Sequence, residues 1–142
     1  MSKFTSKLFG WTSTAVVTIG FLAAWFLSLY AGKIEGALFP VVVDTKIESA
    51  NRISSLNTRV YGSAKKLREC SFVRIDWFLG TPDLGTYVPV TFEEQSKVRP
   101  AEGFQFGPWV LRMSPEEVKD FSYAIVYHRC HPLWLTETRF YP

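Results

Sequence analysis

The chain has 142 residues, room for one domain or for one domain with an appendage. Its formal charge of +3 is carried mainly by Lys3 and Lys7: from Lys33 onward 14 basic side chains (16 less those two) meet 13 acidic ones. That nearly neutral remainder excludes a strong field for capturing nucleic acid, and the pI of about 8.9 misleads on this point. No Gly-rich phosphate loop, nucleophile elbow or acidic calcium loop occurs, so no motif marks an enzyme, and no cofactor is implied.

The first element is an apolar run. Residues 8–32, LFGWTSTAVVTIGFLAAWFLSLYAG, carry no charge. A hydrocarbon core about 30 Å thick needs roughly 20 such residues as a helix, so the run predicts a transmembrane signal-anchor helix behind a short N-terminus, 1–7. Trp11 and Tyr30, near its two ends, suit the two membrane interfaces. Gly20, Ala23 and Ala24 offer small side chains for close packing against another helix. A cleaved signal peptide fits less well, because the run is long and Leu29-Tyr30-Ala31 makes a poor small-x-small site. Lys3 and Lys7 stand unopposed before the run, whereas Glu35 offsets Lys33 after it. The positive-inside rule then predicts a cytoplasmic N-terminus and an extracytoplasmic remainder.

Residues 33–40 read as a short juxtamembrane connection, and residues 41–142 as an extracytoplasmic domain built from strands. Val41 to Glu48 and Thr58 to Lys66 form the first expected pair. Ser71, Val73, Ile75, Trp77 and Leu79 alternate with Phe72, Arg74, Asp76 and Phe78, the period of two that marks a strand. Thr86 to Phe92 is another, with Pro89 arguing for an edge or a bulge. Phe106 to Met113, Ser122 to His131 and Leu135 to Tyr141 complete the set. Before the sixth, Ser114-Pro115-Glu116-Glu117 predicts a single capped helical turn. Short strands separated by turn signals predict an all-β antiparallel sandwich.

The order of landmarks resembles an immunoglobulin-like domain. Cys70 and Trp77 come early, then the helical turn at Ser114 to Lys119, then Asp120, Tyr123 and Cys130. The resemblance covers about 60 residues and implies an architecture, not an activity.

The stretch His128-Arg129-Cys130-His131 looks at first like a ligand cluster. On a strand, His128 and Cys130 share one face and His131 takes the other. With His131 turned away, only Cys70 could join His128 and Cys130 as a further soft ligand, and no carboxylate is marked by its spacing to complete the set that a metal needs. In an oxidising compartment, Cys70 and Cys130 form a natural disulfide across sixty residues. Glu93-Glu94 are adjacent and face opposite sides. Glu116-Glu117 suit a helix N-terminus. Lys65-Lys66-x-Arg68 reads as a solvated strand face. Sixteen aromatic residues fall after residue 32 (23 less seven), more than a sandwich core needs. The excess suggests an interface, with Phe104, Phe106, Trp109 and Trp134 as candidates by their position near turns.

The expectation is thus a non-enzymatic, single-pass, membrane-anchored accessory or scaffold subunit whose sandwich binds protein partners, either other membrane-protein subunits or copies of itself. Two alternatives stand beside it. One is a phage- or virus-encoded membrane protein, a virion component or a modifier of the host envelope. The other is a ligand- or metal-binding domain using His128 and Cys130.

Overall fold

The structure is a computed structural model that describes residues 2–94, 99 and 101–142, with helix side chains from residue 14 onward. Helix α1, Ser2–Leu38, runs without interruption for 37 residues, about 55 Å at 1.5 Å per residue. Its described part is long and apolar enough to cross a membrane. The expected boundary at residue 32 is not a structural one: most of the connection expected over 33–40 is helix. Pro40, which cannot continue a helix, follows its last turn.

Among the described residues eight strands follow, one more than the sequence reading expects. They are β1 (Val42–Arg52), β2 (Thr58–Lys66), β3 (Ser71–Leu79), β4 (Thr86–Val88), β5 (Val90–Phe92), β6 (Gly103–Leu111), β7 (Ser122–Arg129) and β8 (Thr136–Tyr141). They form two antiparallel four-stranded sheets, β1-β2-β6-β5 and β4-β3-β7-β8, packed as a sandwich. The extra strand arises at Pro89. A proline has no N–H for a ladder, and here the chain leaves one sheet and enters the other, so Thr86 to Phe92 splits into β4 and β5.

The core lies between the sheets. Trp77, Phe106, Leu111, Val41, Val60 and Val118 are fully enclosed. Phe106 of β6 meets Phe140 of β8 edge-on at 5.1 Å, and Trp109 stacks on Phe106 at 4.6 Å. The Trp77 indole N–H donates to the Ser122 hydroxyl at 2.9 Å, which satisfies its one polar atom in the interior. The capped turn forms as expected and extends slightly into helix α2, Pro115–Asp120. Ser114 accepts from the Glu117 N–H, and the Glu117 carboxylate accepts from the Ser114 N–H.

The alternation expected along β3 fails at one point. A register shift lies between Phe72 and Arg74, so one extra residue changes which side chains face inward. Ile75 and Trp77 are buried as the pattern predicts, but Ser71 and Val73 are exposed. Phe72 joins Ile75 in lining the space between the sheets.

Candidate functional site

The chemistry-bearing stretch at residues 128–134 divides among three tasks. Cys130, just past β7, is bonded to Cys70, just before β3. The two cysteines flank the rung Ser71–Arg129, so the disulfide staples neighbouring strands of one sheet and does not cross between sheets. With the Cys130 thiol committed, His128 and Cys130 do not make a metal pair. Among the described residues no group of three His, Cys, Asp or Glu is placed to hold a metal ion.

His128 faces the interior and is only 4% exposed. Burial, together with the nearby Lys66 ammonium, pushes its pKa down to about 4, so the ring is neutral at physiological pH. Its Nδ1 has no hydrogen-bond partner among the described residues.

His131 turns the other way and builds a joint to the helix. Its ring stacks on Trp134 at 3.9 Å, nearly parallel. The Trp134 indole N–H then donates to Glu35 Oε2 at 2.9 Å, and the Thr136 hydroxyl donates to the same oxygen at 2.8 Å. The Arg68 guanidinium donates to the other oxygen, Glu35 Oε1, at 2.7 Å, and also to the Phe39 carbonyl at 3.0 Å. One carboxylate in the last turns of α1 thus gathers groups from the β2–β3 loop, the β7–β8 loop and β8.

Two glycines allow the helix to come this close. Gly32 and Gly36, one turn apart, are both buried, and a side chain on either would overlap the backbone carbonyl of Leu135 or Glu137 respectively. Only a residue without Cβ lets the helix backbone rest on the strand backbone at these points. The sequence reading missed this joint. Its available signals were the i, i+4 glycines and the lone acid between them, yet Glu35 reads from sequence only as a charge offsetting Lys33.

The basic cluster is likewise not a solvated face. Lys65 is exposed, but Lys66 points inward at 8% exposure and Arg68 is drawn to Glu35. Lys66 Nζ donates to the Arg99 carbonyl at 2.7 Å and stands 4.0 Å from Glu69. Glu93, for its part, accepts two bonds from Arg59, at 2.7 and 2.8 Å.

The four candidate partner-binding aromatics do not form one surface. Phe106 is buried in the core at 2% exposure. Trp134 belongs to the joint. Half-buried Phe104 and Trp109 line a cavity of about 720 Å³ between the sheets, with Phe72, Phe92 and Phe140. Lys66 and His128 lie on its wall. On the helix, Gly20, Ala23, Ala24 and Tyr30 are exposed, and a Cβ built at Gly20 meets nothing within 4 Å. The side chain of Trp11 lies outside those described. Ala24, Ser28 and Ala31 border an apolar groove of about 540 Å³ that ends at Trp134.

No family model, curated protein or solved structure matches this chain.

Proposed function

We propose that the protein is a single-pass, membrane-anchored accessory or scaffold subunit, non-enzymatic, which holds a partner at the extracytoplasmic face through an immunoglobulin-like sandwich. The observation that carries this reading is the docking of α1 on β8 through Gly32, Gly36 and Glu35. A reaching receptor needs a flexible stalk. Here the membrane helix is docked directly on the domain, which favours a partner beside the chain in the same membrane, whether another subunit or a second copy.

The orientation has two supports. Lys3 and Lys7 favour a cytoplasmic N-terminus. The Cys70–Cys130 disulfide favours an oxidising compartment for the sandwich. The immunoglobulin-like reading draws on strand order: β1-β2-β6-β5 facing β4-β3-β7-β8 corresponds to A-B-E-D facing C′-C-F-G. It departs from antibody domains in its disulfide, which joins the C and F positions within one sheet.

The lateral partner would pack on Gly20, Ala23 and Ala24 and along the groove below Trp134, where small side chains let a second helix approach. The test is extraction from the native membrane in mild detergent, comparing the wild type with Gly20→Leu and Ala24→Leu. A defined partner at stoichiometric ratio, lost in both variants, is the expected result. A wild-type chain that emerges alone, or a complex indifferent to both substitutions, would remove the reading.

A further inference from the structure

We propose that the cavity between the sheets binds a single-chain amphiphile with an anionic head, a long-chain carboxylate, with its head at Lys66 and His128 and its chain along the aromatic wall. This does not rest on the partner-binding reading; it follows from the cavity itself.

Four observations converge on it. At about 720 Å³ the cavity falls within the range of small-molecule sites, roughly 300–1,000 Å³. Its wall is mostly apolar, with Phe72, Phe92, Phe104, Trp109, Ile75 and Phe140 available for a hydrocarbon chain. Among these apolar groups sits a lysine side chain only 9% exposed. Lys66 reaches one neutral carbonyl at hydrogen-bond distance, and its nearest acid, Glu69, is 4.0 Å away and exposed at the rim. A buried cation so weakly paired is costly, and an anion beside it offsets that cost. Finally, His128 contributes a buried imidazole whose Nδ1 has no partner among the described residues. As the neutral ring it can donate to a carboxylate or accept from a protonated one. The other charges on the wall are Arg99, whose guanidinium lies 4.8 Å over the Phe104 ring, and Glu94, which is exposed.

The position of the cavity suits such a ligand. Lys66 pairs with Val42 on the first rung after the helix, and Leu67, the next residue, donates to the Val41 carbonyl. The charged end of the cavity therefore lies at the end of the domain from which α1 departs. A carboxylate could arrive from the bilayer that holds α1 or from the aqueous pool, and the test separates the two.

The full-length chain is placed in nanodiscs of zwitterionic lipid. A photoactivatable palmitate is either preloaded in the disc or delivered afterwards on a cyclodextrin carrier. Cross-linked peptides are then mapped, and affinity is read by competition with palmitate and with the matching fatty alcohol. Labelling on the peptides that carry Trp109 or Phe140 is expected. Labelling only from preloaded discs would name the bilayer as the source, and labelling by both routes would add the aqueous pool. Lys66→Gln should weaken palmitate by about tenfold, the loss of one charge-assisted hydrogen bond, and leave the alcohol unchanged. Gln105→Trp, at an exposed position on the wall, should block both probes without touching the core. Labels confined to α1, as lipid around the helix would give, or labelling indifferent to Gln105→Trp, would overturn the proposal. So would equal losses of acid and alcohol in Lys66→Gln.

Discussion

Residues 14–30 and residues 31–38 belong to one helix and meet different surroundings. Around Gly20 there is open space, whereas Gly32 and Gly36 each lie against a strand carbonyl. The same residue type, recurring at multiples of four, serves backbone contact in the lower half and faces open space in the upper half. The lower half also carries Glu35, a polar anchor that the apolar upper half lacks. A small residue in an apolar helix thus sets how closely another backbone can approach. What approaches is decided by where along the axis that residue sits, clear of the sandwich or against it.

The largest loss of stability is expected at the end of the sandwich that receives the helix. Replacing Cys70 and Cys130 together by serine opens a loop of 60 residues, and the chain-entropy relation puts the loss at about 4 kcal/mol. Chemical denaturation in detergent, with and without reductant, measures it: the wild type should fall to the level of the double variant once reduced. Next comes Gly36→Leu. Its side chain cannot enter without moving β8, so a loss of about 3 kcal/mol and a detached helix are expected. Proteolysis in the 38–41 segment would report the detachment, and unchanged protection would show that the joint is not where the helix is held.

Acid pH loosens the sandwich through His128. In the unfolded chain His128 titrates near 6.5; folded, it is held down to about 4. Between those values the unfolded state binds the extra proton, so stability is full above pH 6.5 and declines as pH falls toward 4, by on the order of 3 kcal/mol. The wild-type curve should lose that much more than the His128→Leu curve between pH 7 and pH 4; parallel curves would mean that the imidazole is not buried. The smallest effect belongs to the upper half. Gly20→Leu should leave sandwich stability within about 0.5 kcal/mol, as expected of a surface substitution, even where it abolishes assembly. A large loss there would erase the contrast between the two halves.

Much of the strand framework is legible in the sequence because it depends on local periodicity and punctuation. β2 and β3 occupy the expected residues, and the capped turn at Ser114 forms where its hydrogen-bonding side chains fall. What escapes is whatever depends on contacts distant in the chain. Pro89 reads as an edge position or a bulge within one strand; the strands on either side of it are indeed edge strands, but only the packing of two sheets makes it a crossing between them. The register shift after Phe72 breaks the alternation on β3, leaving Ser71, Phe72 and Val73 all exposed, with no residue to announce it. His128 reads as an ordinary strand histidine, and Lys66 as one of three solvated cations, until the opposite sheet closes over them. Trp134 reads as an aromatic available to a partner, and its indole is instead committed to Glu35, 99 positions earlier in the chain.

The way α1 joins the sandwich has a mechanical consequence. By covalent continuity the helix leads into β1, an edge strand of one sheet, and by its docked turns it grips β8, an edge strand of the other. Tension carried down the helix is therefore divided between both layers at their shared border. Peeling either sheet away first requires the helix to let go of β8, so the attachment that positions the domain also acts as its clasp under load.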